Sequence, residues 1–287
     1  MRPWVADLVF VATALVYLAA TSAFLAILTG RGARLTKVAP WLVGAGAALH
    51  ATHVVVASYV LHVCPVEGIH FAISVLSMFT CAAYLAVRLR FHVDVLGAFV
   101  APLALASLLA SRFVAPGPLT PTVHVRSAIV PLHVTMNLVG VALFSLAFGA
   151  ATLYLVQERL LKRKKVVGLF TRLPPLDALD RAEHRFLLAG FPLLTLGVLT
   201  GTVWAQKIEA GSTQDLLRAG LGYTTWILIA GVLLLRAAAG WRGRRAAYGT
   251  IAGFGFAMLV LLLYLLRGTA VDERHAGDRA TVAEHAT

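Results

Sequence analysis

Charge is what this chain has least of. Only 13% of its 287 residues are Asp, Glu, Lys or Arg, against 59% hydrophobic; a soluble domain carries about 25% charged residues. With a mean hydropathy of +0.82, an ordinary soluble fold is excluded. Acidic residues are the scarcer sign, 13 against 25 basic. In a soluble protein the resulting formal charge of +12 would point to nucleic acid. Here the basic residues sit in short stretches between apolar runs, which is the pattern of a membrane protein. Nucleic acid is therefore not an expected partner. Cysteine is nearly absent as well: Cys64 and Cys81 form no CxxC, which argues against a thiol–disulfide relay. There is no phosphate-binding loop, no Ser-x-x-Lys and no HExxH. No apolar run shows a carboxylate pair, a ladder of arginines or an obvious Gly/Pro break, the marks of many secondary transporters. Hydrolysis and active solute transport are weakly supported.

What the chain does have is long apolar runs. A hydrocarbon core of about 30 Å needs roughly 20 apolar residues in helical form. Eight runs qualify: 6–29, 38–61, 68–87, 94–111, 131–156, 186–205, 220–235 and 246–266, the seventh being the shortest. The expectation is an all-α, polytopic membrane helix bundle of about eight spans over residues 1–267. A polar, disordered tail is expected over 268–287. The first run lacks a convincing cleavage site and reads as a retained helix.

The loops fix the orientation. The odd-numbered loops hold 17 basic residues, eight of them between Arg159 and Arg185; the even-numbered loops hold four. Basic loops stay cytoplasmic, so both termini are expected on the non-cytoplasmic side of a bacterial cytoplasmic (inner) membrane. The long inner stretch 157–185 mixes Glu158, Asp177, Asp180 and Glu183 with its basic residues and contains Leu173-Pro174-Pro175-Leu176. It predicts an ordered turn and a short amphipathic segment on the membrane surface, with basic side chains near anionic lipid headgroups.

Orientation sorts the histidines. His133 follows Pro131 at the start of the fifth run, and proline suits a first helical turn. Its imidazole is expected at the outer face, where it can ligate a metal or a heme iron or simply bond water. A second axial ligand would come from His70, at the start of the third run, or from His62 or His124, with His70 the first choice. His50 and His53 share one helix face near mid-membrane. Polar groups there are costly, so these two are candidates for a heme, quinone or proton path, or for interhelical hydrogen bonding. Trp204, Trp226 and Trp241 fall near expected span ends, where tryptophan favours the interface. Trp204 also ends a run with Gly190, Gly197 and Gly201, glycines that admit a flat ligand or a neighbouring helix.

The order of motifs carries more than any one of them. Pro131-Leu132-His133-Val134 opens a span that closes on Tyr154-Leu155-Val156-Gln157-Glu158-Arg159. The stretch Gly190 to Ala205, GFPLLTLGVLTGTVWA, follows, and then Gly240-Trp241-Arg242-Gly243-Arg244-Arg245. This series resembles the cytochrome c assembly family of heme-handling membrane proteins, of the CcsA and HemX type. The resemblance is clear over about 131–247 and weaker over the first four spans. It implies heme, of the b type, bound at the outer face for attachment to apocytochrome c. It matches His133 to a histidine that flanks the heme, the candidate iron ligand; with His70, His50, His53 and Trp204, read from their positions, this makes up the expected cofactor-binding set. Implied partners are heme, membrane lipid, and another assembly subunit or apocytochrome c.

The chain also departs from that pattern. After Trp204-Ala205 it reads Gln206-Lys207-Ile208-Glu209, with no tryptophan-rich stretch, and Leu234 stands where a membrane histidine would be. The departures favour the HemX-like branch. A membrane regulator or scaffold of heme synthesis is therefore the second reading, and a small-solute transporter the third. An accessory role in heme attachment is expected rather than an enzyme acting alone.

Overall fold

The computed structural model describes residues 3–29, 32–61, 69–91, 94–113, 129–163, 174–207 and 213–263. These form α1 (Pro3–Leu28), α2 (Ala39–Leu61), α3 (Ile69–Phe91), α4 (Gly97–Phe113), α5 (Ile129–Lys162), α6 (Leu176–Lys207) and α7 (Thr213–Ala239). An eighth helix, α8, covers Arg244–Leu263. Two short 3-10 turns, Ala33–Lys37 and Asp94–Leu96, lead into α2 and α4. No strand occurs among the described residues. A backbone in hydrocarbon must satisfy its own polar groups, and in this chain it does so as helix. The fold is a polytopic helical bundle, in which seven helices are long and apolar enough to cross a membrane.

The shortest of the eight helices is α4, at 17 residues, and not the seventh run as the sequence suggests. At 1.5 Å per residue, α4 reaches about 25 Å. Two contacts place it alongside α1. Its first residue, Gly97, lies against Phe24 near the end of α1. Near its other end, Arg112 pairs with Asp7 at 2.9 Å near the start of α1 and covers the Phe10 ring. α4 therefore runs antiparallel to α1 across the same thickness.

Helix α7 is longer than its apolar run, because Thr213 to Arg218 continue the helix beyond the hydrophobic part. Trp226 consequently sits in mid-helix and not at a span end. It stacks on Phe191 of α6 at 5.5 Å and donates its indole N–H to Thr195 at 3.0 Å.

α5 and α6 form the most extensive helix pair, while α1 to α4 pack among themselves and α3 joins the two groups by packing on α5. Tyr17, Phe24, Tyr84, Phe144, Leu146 and Leu187 fill one continuous buried core. α8 closes against α7, with Gly249 over Val232 and Gly253 over Ile229. This is small-residue packing at a spacing of four, the arrangement that lets membrane helices approach closely.

The inner stretch differs from its sequence reading. α5 continues to Lys162 and α6 begins at Leu176, so residues 176–185 are the first turns of a long helix rather than a separate surface segment. The stretch 164–173 and the tail from 264 lie outside the described residues. Asp180 and Glu183 are buried in the bundle. The spans therefore do contain a buried pair of carboxylates, which the hydropathy pattern hides.

Candidate functional site

His133 stands one turn into α5 and is half-buried. Pro131, in the same first turn, costs no helical hydrogen bond there. The imidazole lies on α6, with Nδ1 2.7 Å from the carbonyl oxygen of Gly197. Thr200 Oγ1 is 3.4 Å from the same nitrogen, but its hydroxyl donates to the Leu196 carbonyl at 2.7 Å. Asn137, one turn along α5, donates Nδ2–H to the His133 carbonyl at 2.8 Å. Among the described residues, the other ring nitrogen, Nε2, has only the Asn137 amide at 3.5 Å, the limit of a hydrogen bond, and that amide is nearer to Nδ1, at 3.3 Å.

The glycines of α6 explain how the ring fits. A side-chain carbon at Gly201 would lie 2.6 Å from His133 Cε1, and one at Gly197 would meet the Asn137 amide. Gly197, Gly201 and Trp204 are spaced four and three apart, so they follow one face of α6. Trp204 is thus on the His133 face, one turn beyond the ring.

His70 occupies the first turn of α3, and its side chain lies outside the described residues, as do His62 and His124. Its place along α3 can still be given. α3 and α5 pack together, with Thr80 and Ser145 3.3 Å apart at their hydroxyls. Counting back from that contact at 1.5 Å per residue, His70 is about 15 Å and His133 about 18 Å along its own helix.

The other two predicted histidines belong elsewhere. His50 and His53 are on α2, which packs on α1, α3 and α4. His50 is fully buried. Its Nδ1 is 3.4 Å from the Tyr17 hydroxyl, which is itself 3.7 Å from Cys81 Sγ. His53 meets the Phe10 ring at 5.4 Å. His50 Nε2 and His53 Nδ1 have no hydrogen-bond partner among the described residues. The structure therefore separates the five candidates into an α5–α6 group (His133 and Trp204), a neighbouring helix start (His70), and an N-terminal pair (His50 and His53). Among the described residues, no three His, Cys, Asp or Glu side chains are grouped to hold a metal ion.

One polar constellation was not singled out from the sequence. Asp180 accepts from Arg236 of α7 at 3.0 Å and from the Gly243 backbone N–H at 2.7 Å. Gly240 and Gly243 both take positive φ, 64° and 62°, a conformation that glycine adopts without penalty. They turn the chain between α7 and α8 so that the Gly243 N–H faces the carboxylate. One helical turn deeper, Thr250 of α8 donates to Glu183 Oε1 at 2.6 Å. Glu183 Oε2 has no partner among the described residues.

This arrangement ties the inner ends of α6, α7 and α8 together. Thr250→Val keeps the shape and removes that donor, so Glu183 loses its described partner. The expected cost is about 1–3 kcal/mol, visible as a lower unfolding midpoint in detergent. An unchanged midpoint would mean that the carboxyl finds another donor.

Comparison with known proteins gives a consistent result. The family model described as cytochrome C assembly protein matches residues 63–269, which covers the α5–α6 pair and leaves out α1 and α2. A cytochrome c biogenesis protein CcsA of Heterosigma akashiwo is 26% identical over 238 residues, covering 70% of this chain and 72% of that protein. The CcsA of Synechococcus elongatus is 37% identical over 79 residues, 28% of this chain and 24% of the relative. This match therefore spans about a quarter of that protein. Protein HemX of Brevibacillus brevis is 28% identical over 125 residues, 43% of this chain and 46% of the relative. No solved structure matches.

Proposed function

Since the chain belongs to the cytochrome c assembly protein family, with a role in cytochrome c assembly, we propose that it binds heme b at the outer end of the α5–α6 pair and holds it for transfer to apocytochrome c. The observation that carries this reading is the half-buried His133 imidazole, anchored through one ring nitrogen. A neutral imidazole is a common heme-iron ligand, and a backbone carbonyl on its far nitrogen is the usual support for a metal-bound histidine. The donor set therefore fits the group. Bound heme would supply the macrocycle whose vinyl groups become linked to protein thiols.

The roles of the chain's own residues follow from position. His133 holds the iron, and Trp204 offers an indole one turn beyond on the same face of α6. His70, in the first turn of α3, which packs on α5, would be the candidate second residue to hold the group. The basic inner stretches and the outer ones poor in Lys and Arg support a place in the bacterial cytoplasmic membrane with the heme site outside. Lipid, heme, and another assembly subunit or apocytochrome c are the partners this role requires.

Detergent-purified protein should show a b-type pyridine hemochrome with about one heme per chain, strongly reduced in His133→Ala. Wild-type protein free of heme after growth in heme-sufficient cells would refute the reading. The match to HemX and the lack of a tryptophan-rich stretch after Ala205 favour a second reading, a membrane regulator of heme synthesis. That reading expects deletion of the gene to alter the level of a heme-pathway enzyme while cytochrome c stays normal.

A further inference from the structure

His133 has two ring nitrogens, and the structure treats them differently. Nδ1 is 2.7 Å from the Gly197 carbonyl oxygen. A carbonyl oxygen only accepts, so the nitrogen facing it must carry the proton. In a neutral imidazole the other nitrogen then keeps its lone pair. Nε2 is that nitrogen, and its nearest described donor is the Asn137 amide, at the 3.5 Å limit. The ring can lie this close to α6 only because residue 201 has no side chain: a Cβ there would sit 2.6 Å from Cε1 and 2.9 Å from Nδ1. From this geometry we propose that Gly197 and Gly201 are positioning residues. The Gly197 carbonyl locks His133 as the Nδ1–H tautomer, and the gap at Gly201 lets the ring reach that carbonyl, so Nε2 is the ring nitrogen left to ligate iron.

The inference deepens the heme reading and rests on it for the identity of the ligand. It makes separate claims about the apo protein. A carbonyl is a weaker acceptor than a carboxylate, so it fixes the ring's orientation while leaving the imidazole neutral. Support of this kind typically carries about 10- to 100-fold in metal affinity. The carbonyl of residue 197 survives any side-chain substitution, so the test must alter the ring or the gap.

The first measurement needs no heme. In protein labelled with 15N-histidine, the resonances lost in His133→Gln identify this residue. They should show a protonated Nδ1 and a bare Nε2. In Gly201→Ala the bare nitrogen should no longer be uniquely Nε2, while the unfolding midpoint reports whether the fold is kept. An Nε2–H tautomer in wild type, or an unchanged tautomer in a folded Gly201→Ala, would overturn the proposal.

The second measurement uses heme-loaded His133→Gly, with imidazole or 1-methylimidazole supplied from solution. Both can ligate iron, but only imidazole retains an N–H for the Gly197 carbonyl. Relative to heme in empty detergent micelles, imidazole should be favoured by about 10-fold or more. An equal preference in protein and micelle would overturn the positioning role even where heme is bound. A correct tautomer in protein that takes up no heme would refute the heme reading and confirm the lock.

Discussion

Replacing Arg236 by alanine is expected to destabilise the folded protein by about 3–5 kcal/mol, the usual cost of leaving a buried charge without its partner. The Arg236 and Asp180 side chains are 9% and 8% exposed. Asp180 receives two guanidinium donors and the Gly243 N–H, so the carboxylate has stayed charged by drawing on α7 and on the turn before α8 together. Without the arginine, one backbone donor remains for a full charge. Asp180→Asn should cost less, because Arg236 is in the last turn of α7 and a long cationic side chain can extend toward water. Arg236→Lys should recover only part of the loss, since an ammonium cannot grip a carboxylate with two parallel bonds. The double variant Asp180→Asn/Arg236→Ala should lose clearly less than the sum of its single changes. Unfolding midpoints in detergent read all four. Strict additivity, or a loss below about 1 kcal/mol for Arg236→Ala, would show that the pair is solvated in practice.

That ion pair also marks where the sequence stops being readable. The eight helices are evident from hydropathy because lipid demands about 20 apolar residues per helix, and that demand leaves a trace in composition. His133 is evident because a proline opens its helix. The polar ends of the helices leave no such trace. Asp177 to Arg185 look like a surface loop by charge, yet they continue α6 and turn Asp180 and Glu183 toward α7 and α8. A signal was present: Pro174-Pro175 followed by Asp177 is a helix start, and Asp180, Glu183 and Leu187 recur at helical spacing. The same reasoning would have extended α7 back to Thr213 and placed Trp226 in mid-helix. What no pattern could supply is which faces meet. His133 and Gly197 are 64 residues apart, and only the packing of α5 on α6 brings them into contact. His50 and His53 share a helix face as expected, but that face is answered by Tyr17 and Phe10 of α1, not by the His133 region.

The α5–α6 contact predicts the second large effect. Gly190→Val should impair folding severely, with a loss of about 1–3 kcal/mol or more from overpacking, and should lower heme content as well. A Cβ at residue 190 would lie 2.6 Å from Phe144 Cε1 and 3.2 Å from the Gly140 carbonyl oxygen. Phe144 is fully buried and has no empty space to turn into, and the Gly140 oxygen belongs to a helical backbone. The helices must therefore part. Parting them moves the Gly197 carbonyl, two turns along α6, away from His133. Stability and ligand positioning should fall together, although residue 190 touches neither ring nitrogen. Phe144→Leu should be a mild change alone and, combined with Gly190→Ala, should restore much of the midpoint and the hemochrome. A Gly190→Val protein with the wild-type midpoint would mean that α5 and α6 do not close on each other at these glycines. A variant that kept the midpoint and lost heme would place residue 190 at the ligand itself. Recovery of both by Phe144→Leu would establish that a single steric contact in the bundle sets the position of the histidine at its outer end.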